Sequence, residues 1–326
     1  MAIKTYAQAI KDVLAQEMER DETVFVMGED VAEQGGIFGC TRGLVGQFGE
    51  KRVRNTPISE ATFVGAGVGA ATAGLRPVVE LMYMDFAYLA MDQLLNQAAK
   101  IRYMFGGKAK VPLVVRGQQG VGRGNAGQHS QSVESLFMHI PGMKVACPST
   151  PADAAGLLRT AIRDDNPVMF FEHKALYATK GEVPDDPEFA IPFGKANTVQ
   201  QGQDVTIVCS LLYVPRTMEA VKELEAEGIS CEVIDPRTLV PLDMDTIVAS
   251  VKKTGRLVIV HEAHEVMGFG AEIAAQATAQ AFKYLDAPPE RVGAMMCTLP
   301  FNLGLENAVV PQKEQIKAAV RKTLYR

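Results

Sequence analysis

Short apolar runs rich in β-branched residues alternate with longer amphipathic stretches along the first half of the chain. The predicted strands are residues 23–27, 77–83, 111–116, 144–146 and 168–172. The predicted helices are residues 87–103 and 151–163, and an N-terminal stretch carries Ile10, Leu14 and Met18 on one stripe. Strands that alternate with helices in this way indicate a parallel sheet with helices on both faces.

The alternation stops in residues 177–203, which contain Pro184, Pro187 and Pro192 and an acidic cluster. Residues 181–203 are predicted to be a linker. A second α/β pattern follows, with predicted strands at residues 205–210, 230–234, 257–261 and 291–296 and predicted helices at residues 214–227, 243–253 and 270–284. The sequence therefore predicts two α/β domains with parallel sheets, residues 1–180 and 204–326.

Composition narrows the function classes without choosing among them. The 326 residues are 47% hydrophobic and 22% charged, which is ordinary for a globular protein with a sizeable core. The net charge is −5 without a basic tract, so a nucleic-acid partner is not expected. No run approaches the roughly 18 apolar residues of a membrane helix. The acidic N-terminal stretch and five scattered cysteines favour a protein with reduced thiols in the cytoplasm of a bacterium.

The first candidate for chemistry is Glu60, in the run Thr56-Pro57-Ile58-Ser59-Glu60 ahead of an Ala/Gly-rich helix. Pro and Ser suit the first turn of a helix, so Glu60 is expected at its positive end. One interpretation is a surface carboxylate that caps the helix. The other rests on the glycines of that helix, which predict close packing on all sides and a buried carboxylate. Such a group binds a proton more readily and can act as an acid or base.

The second candidate is the polar, glycine-rich loop of residues 117–131, which follows a predicted strand and contains His129. Parallel sheets bind ligands at strand ends of this kind. The loop also matches G-x-G-x-x-G from Gly122 to Gly127, but no acidic residue closes a second strand about 20 positions later. An active-site loop is therefore favoured over a dinucleotide site. For His129 itself, an active-site role and a structural role at the next helix both remain open.

The third candidate is His261-Glu262-Ala263-His264, directly after a predicted strand. Two histidines three positions apart could face a metal, but the spacing differs from H-E-x-x-H and no third ligand is evident. A histidine pair at a domain or subunit interface is favoured. The sequence also lacks a P-loop, a G-x-S-x-G elbow, and the Gly-Asp-Gly run with a later Asn that binds a metal-bridged diphosphate in thiamine enzymes.

Several runs taken together resemble the β subunits of the heterotetrameric first component of 2-oxoacid and acetoin dehydrogenase complexes. The matching runs are MGEDV (27–31), GGIFGCTRGL (35–44), TPISEATFVGAGVGAATAGLRPVVE (56–80), MDQLLNQAAKIRYMFGG (91–107), AGQHSQS (126–132), PGMKVACPSTPADAAGLLRTAIRDDNPVMFFE (141–172) and DPRTLVPLD (235–243). They occur in order over most of the chain. The resemblance implies a thiamine-enzyme pyrimidine-binding domain followed by a transketolase-type C-terminal domain.

The resemblance also implies a cofactor and partners. Thiamine diphosphate would lie between this chain and an α subunit that holds the diphosphate and Mg²⁺, in an α₂β₂ heterotetramer. The acyl group would pass to lipoate on an acyltransferase component. Pyruvate, a branched-chain 2-oxoacid or acetoin would be the small-molecule substrate.

The same resemblance assigns roles to individual residues. Glu60 would bond a pyrimidine nitrogen of the cofactor, Phe86 would pack on the pyrimidine face, and Met82 would line the pocket. His129 would orient the substrate or donate a proton during acyl transfer. The AIRDDNP segment matches one that binds a structural K⁺ in some relatives, largely through backbone carbonyls, at positions Ala161, Asp164 and Asn166.

The chain departs from the family pattern at two places. Leu89 replaces a glutamine that some relatives place near the cofactor. The run Met296-Cys297-Thr298-Leu299-Pro300 lacks the Asp and first Pro of an Asp-x-Pro-x-Pro pattern that faces assembly partners in many relatives. Two alternatives to the catalytic β subunit stay open: a non-catalytic assembly subunit, and an NAD-binding dehydrogenase based on the Gly122 loop.

Overall fold

The computed structural model describes residues 1–325, which form two compact units. Unit 1 consists of Met1–Gln119 and Leu136–Phe193, and unit 2 consists of Gly120–Ser135 and the chain from Gly194 onward. Each unit contains a mainly parallel sheet with helices, which confirms the predicted fold class. The glycine-rich loop with His129 thus belongs to unit 2, although the segments before and after it in sequence belong to unit 1.

Unit 1 contains eight strands and most of the helices of the first half. The strands are β1 (Ala2–Thr5), β2 (Val24–Gly28), β3 (Val53–Asn55), β4 (Arg76–Leu81), β5 (Val114–Gln119), β6 (Lys144–Ala146), β7 (Val168–His173) and β8 (Lys180–Val183). The α-helices are α1 (Tyr6–Arg20), α2 (Leu44–Phe48), α3 (Glu60–Thr72), α4 (Ala99–Met104), α5 (Glu134–Met138) and α6 (Pro151–Arg163). Other helical turns are the 3₁₀ helices Met84–Ala90 and Lys174–Leu176 and the π-helix Asp92–Ala98.

Six strands of unit 1 are parallel and follow the order β6-β7-β5-β4-β2-β3. Strands β1 and β8 form a separate antiparallel pair. The order changes direction around β2 and β4, so the loops that follow these strands diverge to opposite sides. Crevices of this kind at the carboxyl ends of parallel strands are where open α/β sheets bind ligands.

Helix α1 covers the sheet of unit 1 through an apolar stripe. Ile10, Leu14 and Met18 are all buried, as their spacing predicts. The capping box of Thr5 and Gln8 fixes the start of the helix. On the facing helix α6, Arg159 and Arg163 pair with the buried carboxylate of Glu17, so the helix pair is fixed by charge as well as by packing.

Helix α3 packs on the sheet through glycine, and only on one side. A Cβ added to Gly67 would lie 2.8 Å from Val79 Cγ2, so no larger residue allows this approach. The opposite face, with Thr62, Ala66 and Gly69, is exposed in the single chain. The prediction that α3 packs closely on all sides is therefore wrong for this chain alone, because small residues permit close packing but do not supply a neighbour.

Unit 2 contains the elements of the second half. Its strands are β9 (Asn197–Gln200), β10 (Val205–Cys209), β11 (Cys231–Asp235), β12 (Thr238–Val240), β13 (Leu257–His264) and β14 (Glu290–Ala294). Its helices are α7 (Tyr213–Ala226), α8 (Met244–Thr254), α9 (Phe269–Ala281), α10 (Leu303–Val309) and α11 (Lys313–Thr323), with a 3₁₀ helix at Phe282–Tyr284. The sheet order is β14-β13-β10-β11-β9, parallel except for the edge strand β9.

The core of unit 2 is built from the buried strands β10, β11 and β13 and from helices α7 and α11 packed against them. Strand β9 lies inside the segment predicted as a linker and pairs antiparallel with β11. Four of the five cysteines are buried, and all five are free thiols, as the sequence predicts. Within residues 1–325, no helix combines the length and hydrophobicity needed to span a membrane.

Candidate active site

Polar and aromatic side chains collect in unit 1 where the parallel strands end. Glu29 follows β2, Glu60 begins α3 after β3, and Met82 and Phe86 follow β4. Strands β3, β2 and β4 are neighbours in the sheet, so their carboxyl ends share one edge. This edge brings together three of the residues predicted from the sequence, Glu60, Met82 and Phe86, with one that was not predicted, Glu29.

Glu60 is the first residue of α3 and is only 5% exposed. The Phe63 N–H donates to the Ser59 carbonyl at 3.0 Å, which sets the helix start one residue before Glu60. The Ser59 side chain does not cap the helix; its hydroxyl lies 2.8 Å from the Thr62 hydroxyl. Glu60 is therefore a buried carboxylate at the positive end of a helix, and the interpretation as an exposed cap is wrong.

Glu29 is a second buried carboxylate at the same edge, 6% exposed. Burial raises its pKa to about 7, and the negative charges of Glu60 and Asp30 add to the rise. Its Oε1 atom is buried without a hydrogen-bond partner among residues 1–325. No described side chain forms an ion pair with Glu29 or Glu60. Near neutral pH, Glu29 thus holds or releases a proton next to Glu60.

Sequence reasoning missed Glu29 as a site residue. It occurs in the run MGEDV, directly after the fully buried strand β2. An acid at the carboxyl end of a buried parallel strand is the signal that could have identified it.

Met82 and Phe86 lie in the turn after β4, and both are half-buried. The Phe86 N–H donates to the Tyr83 carbonyl at 2.9 Å, which holds the first turn of the 3₁₀ helix. The neighbouring strand needs Gly117 here, because an added Cβ would lie 2.5 Å from the Leu81 carbonyl oxygen. Leu89, which replaces a glutamine of some relatives, is 59% exposed in the same 3₁₀ helix.

A buried ionic network lies under this edge and joins β4, β5 and β7. The Arg116 guanidinium bonds both oxygens of Glu172 at 2.6 Å and also bonds Glu80. Burial alone would lower the pKa of Arg116, but the carboxylates of Glu172 and Glu80 raise it well above its usual value. The Tyr177 hydroxyl donates to Glu172, which adds a neutral donor to the network. These groups join β4, the strand that precedes Met82 and Phe86, to its neighbours β5 and β7.

The glycine-rich run of residues 35–44 is placed next to this network. Thr41 Oγ1 donates to the Val31 carbonyl at 2.7 Å, and the ring of Phe38 stacks on Tyr177 with centroids 4.3 Å apart. A Cβ on Gly36 would lie 3.0 Å from Glu80 Oε1. Gly36 therefore permits a close approach of this run to the buried carboxylate of Glu80.

His129 belongs to unit 2 and is half-buried. The backbone N–H of His129 donates to the Ala126 carbonyl at 3.4 Å, and Ala126 adopts a positive φ of 61°. The loop does not form a dinucleotide site of the usual kind. In that motif the glycine turn opens a helix, whereas here α5 begins only at Glu134, seven positions after Gly127.

The His261-Glu262-Ala263-His264 run ends β13 and does not form a metal site. His261 Nδ1 lies 3.0 Å from the Ala263 carbonyl, and His264 Nδ1 lies 2.7 Å from the Met295 carbonyl. Burial lowers the pKa of His261 to about 4, so this ring is neutral near neutral pH. Over residues 1–325, no group of three or more His, Cys, Asp or Glu side chains is arranged to bind a metal.

The loop after α6, predicted to bind K⁺, is held by two cationic side chains. Arg76 Nη1 donates to the carbonyls of Ile162 and Asp164, each at 3.0 Å, and Lys144 pairs with the Asp164 carboxylate. The Asn166 side chain donates to Asp164 Oδ1 at 2.8 Å. The carbonyls of Ala161 and Asp164 each accept one hydrogen bond and keep a second lone pair, so hard oxygen ligands remain for a monovalent cation.

Two family models match the chain and together cover most of it. Residues 3–180 match the transketolase pyrimidine-binding domain, and residues 194–316 match the transketolase C-terminal domain. The first match includes residues 120–135, which the structure assigns to unit 2.

Curated relatives of two activities resemble the chain almost equally. The acetoin:2,6-dichlorophenolindophenol oxidoreductase subunit beta of Cupriavidus necator is 49% identical, over 97% of this chain and 96% of that protein. The pyruvate dehydrogenase E1 component subunit beta of Rickettsia felis is 48% identical, over 98% of both. The acetoin:2,6-dichlorophenolindophenol oxidoreductase subunit beta of Bacillus subtilis is 46% identical, over 95% of this chain and 94% of that protein.

A solved structure shares the fold. The chain described as split gene transketolase, inactive beta4 tetramer, superposes with a TM-score of 0.78 at 22% identity, over 98% of each chain. At that identity the likeness supports the fold alone.

Proposed function

The chain belongs to the family of β subunits of pyruvate dehydrogenase E1 and acetoin oxidoreductase, and we propose that it forms the pyrimidine-side half of a thiamine-diphosphate site. The observation that carries this proposal is Glu60, a buried carboxylate at the start of α3 without a cationic partner among residues 1–325. The predicted pyrimidine-binding domain of residues 1–180 would contain it, with residues 181–203 as linker and residues 204–326 as the C-terminal domain.

The residues at the strand ends suit the pyrimidine half of that cofactor. When bound, thiamine diphosphate supplies a nucleophilic carbon that adds to a carbonyl group and stabilises the charge left by carbon–carbon cleavage. The buried Glu60 carboxylate would share a proton with a pyrimidine ring nitrogen. The half-buried Phe86 would pack on the ring face, and Met82 would close the pocket beside it.

His129 would act on the substrate side. Its imidazole would orient the carbonyl compound or donate a proton as the acyl group passes to a lipoyl sulfur. The support is its location in a polar loop that follows a strand end, and its match to the HSQ motif of the family.

A partner chain would complete the site. The sequence has no Gly-Asp-Gly run with a later Asn, so the diphosphate and its Mg²⁺ would be held by an α subunit in an α₂β₂ heterotetramer. A lipoyl-bearing acyltransferase would accept the acyl group. The free thiols agree with a bacterial cytoplasmic complex.

Pyruvate, acetoin and branched-chain 2-oxoacids are the candidate substrates. The chain is 49% identical to a relative of the acetoin type and 48% identical to one of the pyruvate type, so sequence identity does not distinguish acetoin from pyruvate as the substrate. The test is to purify the chain with its α partner and to measure thiamine-diphosphate-dependent reduction of 2,6-dichlorophenolindophenol with each compound. We expect turnover of one of these compounds by the complex and none by either chain alone. Turnover by this chain alone, or by the complex without thiamine diphosphate, would contradict the proposal.

We further propose that the loop containing Ala161, Asp164 and Asn166 binds a structural K⁺ through backbone oxygens. Hard oxygen donors support this choice of ion. Melting temperatures in KCl and NaCl at equal ionic strength test it. We expect a midpoint higher by about 2–4 °C in KCl, since a ligand of the folded state raises stability. Equal midpoints at all concentrations would exclude the site.

A further inference from the structure

The loop that contains His129 is closed at its base. The Gly120 N–H donates to the Gln131 carbonyl at 3.0 Å, so the two ends of the loop lie side by side. The ten residues between them, 121–130, include His129 near the returning end. Whatever holds the base of this loop therefore also determines where the imidazole lies.

One carboxylate oxygen accepts hydrogen bonds from both ends of the loop. Glu262 Oε1, at the end of β13, accepts from the Val121 N–H on the entering side and from Ser132 Oγ on the returning side, each at 2.9 Å. Glu262 is only 8% exposed. Loss of this acceptor would leave both donors of the loop without their partner, which costs free energy where they are buried.

A second buried carboxylate holds the next residue of the loop. Glu306, in α10, is fully buried, and its Oε2 accepts from the Gly122 N–H at 3.0 Å. Its other oxygen, Oε1, is buried without a hydrogen-bond partner in the described part of the chain. No described cation is paired with Glu306. A buried carboxylate without a cation costs stability. The hydrogen bond that Glu306 accepts comes from the loop.

Apolar contacts complete the attachment. The Val121 side chain is fully buried in a cluster with Ala294, Leu299, Val309 and Val310. Thr298 and Phe301 approach the loop where it has glycine. A Cβ on Gly127 would lie 2.5 Å from Thr298 Cγ2, and a Cβ on Gly124 would lie 2.7 Å from the Phe301 carbonyl oxygen.

We propose that Glu262 and Glu306 are positioning residues that hold the glycine-rich loop so that His129 keeps one location during catalysis. The inference rests on the proposed function of His129. Within the His261-to-His264 run, Glu262 would then be the residue with a role in holding the loop. Residues 298–301 would support the same loop from within the chain. Loss of a fixed geometry for a proton donor lowers turnover more than substrate affinity.

The first experiment measures attachment of the loop without using catalysis. Arg123 is an exposed trypsin site within the loop. In the full chain, Glu262→Leu removes the acceptor, Glu262→Gln keeps an acceptor oxygen, and Glu265→Leu removes an exposed carboxylate three residues away. We expect cleavage after Arg123 to be at least about tenfold faster in Glu262→Leu, because two hydrogen bonds are lost. Glu262→Gln and Glu265→Leu should be cleaved at nearly the wild-type rate.

The second experiment uses the same variants in the complex with the α partner. For Glu262→Leu we expect kcat to fall by about tenfold or more with KM changed by less than about threefold, and Glu262→Gln to restore kcat. Unchanged cleavage in Glu262→Leu would overturn the attachment. Faster cleavage with unchanged kcat would overturn the positioning role. A wild-type complex inactive on every substrate would instead overturn the proposed function, and the protease result would still decide the attachment.

A second pair of variants covers the case in which Glu262→Leu does not fold. Gly127→Ala places a methyl group against Thr298 Cγ2, and Thr298→Ser removes that atom. We expect Gly127→Ala to be cleaved faster after Arg123 and to lose kcat, and the double variant with Thr298→Ser to recover both. Full activity and slow cleavage of Gly127→Ala alone would contradict the account.

Discussion

Glu29 and Glu60 are two carboxylates at one sheet edge whose surroundings differ from those of an ordinary surface carboxylate. Both are buried at the carboxyl edge of the parallel sheet, and neither has a cationic partner within residues 1–325. Two neighbouring carboxylates in such a place do not both ionise readily. Glu29 can therefore hold or release a proton near neutral pH beside Glu60.

The raised pKa of Glu29, about 7, predicts a pH dependence of stability. The folded protein keeps this proton to about pH 7, whereas the unfolded chain releases it near pH 4.5. The folded state thus binds more protons between these values, so the contribution of Glu29 to stability falls as pH rises from 4.5 to 7. Glu29→Gln has no carboxyl group at this position, so the variant does not lose this contribution to stability as pH rises. We expect the variant to exceed wild type by about 1–2 kcal/mol in the free energy of unfolding at pH 8, and to match it near pH 4.5.

Urea denaturation at the two pH values measures the effect. Glu22→Gln, an exposed carboxylate of the same unit, is the matched control and should change little at either pH. Equal stability of Glu29→Gln and wild type at pH 8 would show that the fold does not raise the pKa of Glu29.

At the scale of elements, a buried charge network joins three adjacent strands, of which β4 precedes the site. Glu80, Arg116 and Glu172 come from β4, β5 and β7, which are adjacent in the sheet. All three are essentially inaccessible to solvent. Burial raises the pKa of Glu80, and the Arg116 cation opposes that rise.

Arg116→Met should therefore be strongly destabilising. The variant leaves two buried carboxylates without their cation, and the expected loss is about 3–5 kcal/mol in the free energy of unfolding. Arg54→Met, an exposed arginine on β3, should lose less than about 0.5 kcal/mol. A small loss at Arg116, measured by chemical denaturation beside this control, would mean that the network does not maintain the strand ends.

The hydrophobic pattern predicted some elements to the residue and misjudged others. Strand β6 and helix α6 have their predicted bounds, because Thr150 and Pro151 give a clear helix start. The single helix predicted at residues 87–103 is instead a 3₁₀ helix, a π-helix and α4 in succession. An apolar stripe is compatible with all three kinds of helical turn, so the pattern alone does not distinguish them. Packing against neighbours such as α3, where Gly65 faces Gln93, selects among them.

At the scale of the whole molecule, the sequence predicted Glu60 as a candidate and, through the family resemblance, Met82 and Phe86, and the structure places these three residues at one sheet edge. The sequence did not predict the attachment of the His129 loop. Residues near a strand end are predictable because strand and turn lie close in sequence. The bonds from Val121 to Glu262 and from Gly122 to Glu306 join residues 141 and 184 positions apart. No local pattern encodes such contacts, and so the loop could not be assigned to unit 2 from the sequence.

The proposed half-site also explains why the chain would need a partner. It would offer the buried Glu60 to a pyrimidine ring, but the sequence has no motif for a diphosphate and its metal. The central claim is that Glu60 takes part in the chemistry of the completed site. A chain that only stabilised its partner would give Glu60 no such role.

The most direct measurement is the thiamine-diphosphate-dependent turnover of the complex formed by the α partner with Glu60→Gln. Gln keeps the size of the side chain but cannot exchange the proton, so we expect turnover to fall by about 100-fold or more while the complex still assembles. Glu50→Gln, an exposed carboxylate of unit 1, should keep wild-type turnover. A Glu60→Gln complex that assembles and turns over at the wild-type rate would contradict the account.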